Sequence, residues 1–137
     1  MNYYFDTCIW IDFFEDRRNL IGKNLGKPAY NAIFKIINRK DKVLISDITI
    51  HELSKFFGEE YINQEFAWLY SMKLLTGVRS TPEDCEYAEK LSKQKQIPFG
   101  DSLHAILAKK NNAIIVTRDK HFELLKEFAK SVRPEEL

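Results

Sequence analysis

Apolar positions in this chain fall into short continuous runs that alternate with stretches of helical period. Residues 2–5 (NYYF) form an aromatic run ending at Asp6 and predict a buried strand. Residues 8–15 (CIWIDFFE) then place Ile9, Trp10, Phe13 and Phe14 at helical spacing. Pro28 predicts the start of a second helix reaching about Arg39, with Ala29, Ile33, Ile36 and Ile37 inside. Residues 42–46 (KVLIS) read as a β-branched strand, and 47–57 return to helical period. Residues 61–75 predict a helix with Phe66, Leu69, Tyr70 and Leu74 on its inner side, closed by Gly77, with a short strand at 78–80.

Thr81-Pro82-Glu83-Asp84 carries a hydroxyl cap, a proline at the first position and acids in the first turn. That combination starts a helix, and Pro98 sets its end. A further helix runs from Phe99 to about Asn111, and 113–117 (AIIVT) is the clearest strand. A short helix at 121–128 and an edge strand at 131–133 complete the pattern. Residues 22–28 (GKNLGKP) read as a loop between helices. The strands are continuously apolar and alternate with helices. This predicts a single α/β domain over residues 1–137, three layers deep (α/β/α), with a mostly parallel central sheet. In such sheets the ligands bind beyond the carboxyl ends of the strands.

Composition narrows this picture. At 137 residues and 45% hydrophobic, the chain can bury a core without covalent staples. Cys8 and Cys85 are too few for a disulfide framework and read as inert reduced thiols of a cytoplasmic protein. No apolar run approaches the roughly 18 residues of a membrane span, and the N-terminus lacks the basic lead of a signal peptide. A net charge of +1 does not advertise a polyanion partner. It does not exclude one, because an acidic site can offset a basic rim.

The chemistry lies in where the carboxylates fall. Asp6 follows the first strand directly, and Glu52 lies near the start of the helix after the KVLIS strand. Asp119 follows the AIIVT strand, and Asp101 opens the helix that feeds it. The first three belong at the carboxyl rim of the sheet, and Asp101 joins them if its helix begins there. Each has a structural alternative. Glu52 follows Thr49 at capping-box spacing, Asp101 gains from a helix dipole, and Asp119 or Asp6 can cap a helix. As a set they point to a cation. Two carboxylates roughly 4 Å apart repel by about 4 kcal/mol at an effective dielectric of about 20, so a cluster must hold protons or bind metal. Oxygen ligands suit Mg²⁺ or Mn²⁺, and Cys and His show no zinc spacing. Such a metal activates water for phosphodiester hydrolysis.

At these residues the sequence resembles the PIN-domain family, and within it the VapC-type toxin ribonucleases. The resemblance starts with Asp6-Thr7 after the opening strand and continues with Glu52-Leu53. It is strongest over 101–122 (DSLHAILAKKNNAIIVTRDKHF), where an acid, a helix, a strand, Thr-x-Asp and Phe follow in order; the ending VRPEEL is also similar. The resemblance implies a divalent-metal-dependent endoribonuclease with Asp6, Glu52, Asp101 and Asp119 as its acidic metal site. It also implies that the Thr117 hydroxyl orients an acid or water, and that Thr7 does so or caps the helix behind it. Many members carry a second Asp before the phenylalanine, where this chain has His121, so no auxiliary ligand is assigned there. By the same analogy the partners are an RNA substrate, a small antitoxin and a second copy of the chain in a homodimer. The sequence leaves open a PIN nuclease of RNA processing without an antitoxin, and a non-catalytic interaction domain. A phosphotransfer domain fits poorly, because Cys8 stands where a second Asp would be needed.

The remaining residues carry weaker expectations. His104, one turn after Asp101, reads as a partly buried hydrogen-bonded ring, with contact to substrate or a second metal as the alternative, and His51 faces away from Glu52. Arg118 is either a phosphate contact or a solvated side chain. Lys23, Lys27, Lys35, Arg39, Lys40 and Lys42 read as a solvated basic face, with RNA-backbone contact as the alternative. Trp10, Phe13, Phe14 and Trp68 read as core or oligomer interface.

Overall fold

The computed structural model describes residues 1–15, 22 and 24–137. Lys23 therefore lies outside the described residues. Among the described residues five strands form one sheet, all pairs parallel, in the spatial order β3-β2-β1-β4-β5. They are β1 (Asn2–Phe5), β2 (Lys42–Ser46), β3 (Leu75–Val78), β4 (Ala113–Val116) and β5 (Ser131–Val132). The described helices that connect them are α1 (Thr7–Glu15), α2 (Gly26–Asn38), α3 (Asp47–Leu53), α4 (Glu59–Ser71), α5 (Pro82–Lys95) and α6 (Phe99–Lys110). Two 3-10 turns follow β4 and β5, at Lys120–Leu125 and Pro134–Glu136.

The alternation of side chains along β1 shows why the sheet is buried on both faces. Tyr3 and Phe5 enter one core with Trp10, Phe13, Ile33, Ile36 and Phe66. Tyr4 enters the other, with Leu103, Leu107, Ile115 and Phe122. Helices on both faces give the three-layer α/β/α arrangement expected from the pattern. Trp10 and Phe13 are core, Trp10 packing edge-on against Phe66 with ring centroids 4.8 Å apart. Phe14 and Trp68 pack against that core half-buried.

Several element boundaries differ from the pattern. The helix expected over 61–75 stops at Ser71, because Lys73 takes a left-handed φ of 58°. Leu75 and Gly77 then belong to β3, with Gly77 paired to Ile45 instead of closing a helix. Tyr70, expected inside, is exposed. The helix from Asp47 ends at Leu53, short of 57. The helix after β2 is capped by Ser46, whose side chain accepts from the Thr49 N–H; Thr49 is not the cap, and Glu52 sits in the last turn, not the first. The second helix begins at Gly26, where the Asn24 side chain accepts from the Gly26 and Lys27 N–H groups, so Pro28 lies inside its first turn. The segment expected as a helix over 121–128 is a 3-10 turn.

The order of strands fixes where a site can form. The chain leaves β1 for β2 on one side and returns to β4 on the other. The crevice beyond the carboxyl ends of β1 and β4 is therefore the switch point of the sheet, the usual ligand position in open parallel sheets.

Candidate metal centre

Asp6 stands at that switch point. Its N–H donates to Val116 O at 3.0 Å, which continues the β1–β4 pairing by one residue. The residue is 5% exposed, and its side chain is held by the protein. Oδ1 accepts from the Thr7 N–H at 2.8 Å, and Oδ2 accepts from the Thr117 hydroxyl at 2.8 Å. The Cys8 thiol approaches Oδ2 at 3.4 Å. Burial and the Asp6 charge push that thiol well above the usual range, which keeps it protonated and unreactive. The Thr117 oxygen also accepts from the Asp119 N–H at 3.0 Å. One hydroxyl thus ties the end of β1 to the loop after β4. Thr7 does not cap its helix: it is the first helical residue, and its hydroxyl is buried with no hydrogen-bond partner among the described residues.

Asp101 lies in the first turn of α6, and that turn opens at the same rim. Asp119 caps the 3-10 turn after β4 by accepting from the His121 N–H at 2.9 Å. His121 Nδ1 lies 2.8 Å from Asp101 Oδ2 and 3.1 Å from Asp119 Oδ1. One donor atom each from Asp101, Asp119 and His121 falls within 4.8 Å of the other two. These three can hold a metal ion. Burial raises the Asp101 carboxyl, and despite the hydrogen bond from His121 the charges of Asp119 and Asp6 help carry it to about 6. A cluster that resists ionisation in this way is one a cation would relieve. The donor set of two carboxylates and an imidazole fits a divalent ion.

Glu52 reaches the cluster from α3 and is steered there by a buried ring. His104 Nε2 lies 2.7 Å from Glu52 Oε1 and 3.8 Å from Asp6 Oδ1. Its Nδ1 lies 2.6 Å from the Tyr4 hydroxyl, which in turn lies 2.6 Å from the Ser46 hydroxyl. Burial opposes charge on this ring, but the Glu52 hydrogen bond and the nearby Asp6, Glu52 and Asp101 charges outweigh it, so its pKa is raised. His104 is thus fully buried, not partly so as expected, and bonded at both nitrogens.

The structure therefore brings all four expected acids to one rim but sorts them. Asp101 and Asp119 share the compact donor group, while Asp6 and Glu52 stand outside it. Sequence reasoning had assigned His121 no role and missed Tyr4 and Ser46. His121, two residues from Asp119 and across from Asp101, was the available signal. Arg118 is ion-paired and not a freely solvated side chain. It pairs with the fully buried Asp12 at 3.3 Å and with Glu135 at 2.6 Å. Lys27, Lys35, Arg39, Lys40 and Lys42 are exposed, and Lys42 opens β2 at the end of the sheet opposite the acids. His51 is exposed.

A family model, the PIN domain, matches residues 3–127. The chain belongs to the PIN domain family. PIN domains are generally nucleases and typically bind divalent ions. Three solved structures show how closely this PIN domain keeps the fold. A chain of VapBC2 from Rickettsia felis, bound to a DNA fragment from their promoter, is 21% identical, covers 97% of this chain and 98% of its own, and superposes with a TM-score of 0.68. A chain of a toxin-antitoxin complex from Klebsiella pneumoniae is 21% identical over 96% of this chain and 97% of its own, with a TM-score of 0.67. VapBC-1 from nontypeable Haemophilus influenzae is 20% identical over 98% of each chain, with a TM-score of 0.59. No curated protein sequence matches this PIN domain significantly. Among the described residues no helix is long and apolar enough to cross a membrane.

Proposed function

We propose that this PIN domain is a divalent-metal-dependent endoribonuclease, the toxin of a type II toxin-antitoxin pair. The observation that carries this reading is the donor group of Asp101, Asp119 and His121 at the switch point of the sheet, with Asp6 and Glu52 beside it. Mg²⁺ or Mn²⁺ held there supplies charge stabilisation on a phosphate and a water activated for attack. Asp101 and Asp119 hold the ion. Asp6, fixed by Thr117 and the Thr7 N–H, sets the negative field on the β1 side. Glu52, held through Oε1 by His104, has a second carboxylate oxygen with which to orient the attacking water. Thr117 and His104 act through these acids and are positioning residues.

The toxin assignment draws support from the solved structures of similar fold, two of which are described as VapBC and one as a toxin-antitoxin complex. It carries with it a cytoplasmic location, a homodimer and a small antitoxin partner. The test is direct. Purified protein given Mg²⁺ or Mn²⁺ should cleave RNA internally, and Asp101→Asn should not; equal cleavage by the variant overturns the metal-site assignment. Expression in a host without the antitoxin should arrest growth, and co-expression of the antitoxin should relieve it. Cleavage without growth arrest would separate the nuclease from the toxin.

A further inference from the structure

His121 is the one member of the donor group that brings nitrogen. Its placement follows from the local fold. The Asp119 carboxylate accepts the His121 N–H at 2.9 Å, and this turn folds the ring back over the acid, so that Nδ1 comes within 3.1 Å of Asp119 Oδ1. The first turn of α6 supplies Asp101 from the other side, 2.8 Å from the same nitrogen.

These separations are hydrogen-bond and ion-pair contacts, and they also fit neighbouring ligands of one ion. Atoms bonded at about 2.1 Å to one ion, at right angles, stand about 3 Å apart. The Nδ1 atom holds that spacing to both carboxylates before any ion enters. The ring is 46% exposed, and imidazole is a common metal ligand through either ring nitrogen.

We propose that His121 is a metal ligand through Nδ1 and that it biases the site toward Mn²⁺ over Mg²⁺. The inference rests on the metal-site reading above and goes beyond it. Imidazole suits first-row transition ions, whereas Mg²⁺ prefers oxygen and keeps its waters. Asp101 and Asp119 alone make a site for either ion. Adding the ring makes a mixed nitrogen and oxygen site in which Mn²⁺ gains and Mg²⁺ does not.

The experiment is calorimetric titration of the metal-free full chain with Mn²⁺ and with Mg²⁺, for the wild type and His121→Asp, each checked for an unchanged melting transition. The wild type should bind Mn²⁺ at least about tenfold more tightly than Mg²⁺, and His121→Asp should remove most of that ratio while retaining Mg²⁺. Electron paramagnetic resonance of Mn²⁺ bound to the wild type should show coupling to a ligand nitrogen, a reading that needs no variant to fold. An unchanged ratio in His121→Asp, or no nitrogen coupling, overturns the role of His121 while leaving the acidic site in place. Failure of the wild type to bind either ion overturns the metal site itself.

Discussion

His104 Nε2 lies 2.7 Å from Glu52 Oε1, in a ring that is 1% exposed. The contact joins the interior of the domain to the rim of its site, because the other ring nitrogen is bonded to Tyr4 on the central strand. Replacing the ring by leucine leaves the Tyr4 hydroxyl without one partner and frees Glu52. At about 1–3 kcal/mol for each buried polar group left unpaired, His104→Leu should cost roughly 2–4 kcal/mol in urea unfolding of the metal-free protein. The pH dependence has a definite sign. The folded pKa is raised, so the stabilisation is full below about 6.5 and is lost as pH rises through the folded value. The gap between wild type and variant should therefore be wider at pH 6 than at pH 9. A gap that widens with pH would show the ring to be neutral throughout.

Asp101 presents the opposite case. Its folded pKa of about 6 lies above its ordinary value of 3.8. The ionised carboxylate therefore costs stability above pH 6, the cost shrinks as pH falls from 6 toward 3.8, and none remains below. Asp101→Asn should accordingly stabilise the metal-free protein at pH 8, by about 1–2 kcal/mol. The same variant should lose metal-dependent cleavage. Thermal melts in chelator at pH 8 and pH 4.5 check the first part, and the stabilisation should be smaller at the lower pH. A variant less stable than wild type at pH 8 would mean that the hydrogen bond from His121 outweighs the repulsion.

The positions of Asp6 and Asp119 were legible because a strand that ends in an acid places that acid at the rim, and the strand pattern was unambiguous. Convergence with Asp101 was legible only conditionally, since it depends on where α6 begins in space. The role of Ser46 was hidden by a local coincidence. Thr49 and Glu52 have capping-box spacing, but Ser46 occupies the cap one turn earlier. The run at 74–78 misled because Leu74 and Leu75 continue a helical period, while a left-handed turn at Lys73 redirects the chain into β3. His104 could be placed on the correct helix face, but its partners come from β1 and α3, far away in sequence. No periodicity carries that information.

Thr117 serves two clients with one oxygen, donating to Asp6 and accepting from the Asp119 N–H. Thr117→Val keeps the shape and removes both bonds. Expected are a loss of about 1–2 kcal/mol in stability and about a tenfold or greater fall in metal-dependent cleavage at saturating substrate. Thr117→Ser should restore most of both. A structural role alone would lower stability in the valine variant without changing turnover per folded molecule, so activity is to be normalised to the folded fraction.

Asp84 offers a charged group whose role is structural. It completes the capping box of α5 by accepting from the Thr81 N–H at 2.9 Å, and its Oδ2 also takes Lys110 Nζ at 2.8 Å. Burial raises its pKa, but the Lys110 and Thr81 hydrogen bonds outweigh this and hold it below the ordinary 3.8. The stabilisation is therefore present above 3.8 and is lost as pH falls through the lower folded value. Asp84→Ala should cost about 1–3 kcal/mol at pH 7, and the difference from wild type should close as pH falls through the lowered folded value. Lys110 ends the helix that Asp101 begins, nine residues and about 13 Å along the axis. Mn²⁺ affinity of the folded Asp84→Ala variant should therefore match the wild type. A shift of more than about threefold would mean that strain at the far end of α6 reaches the donor group, and that the helix transmits as well as positions.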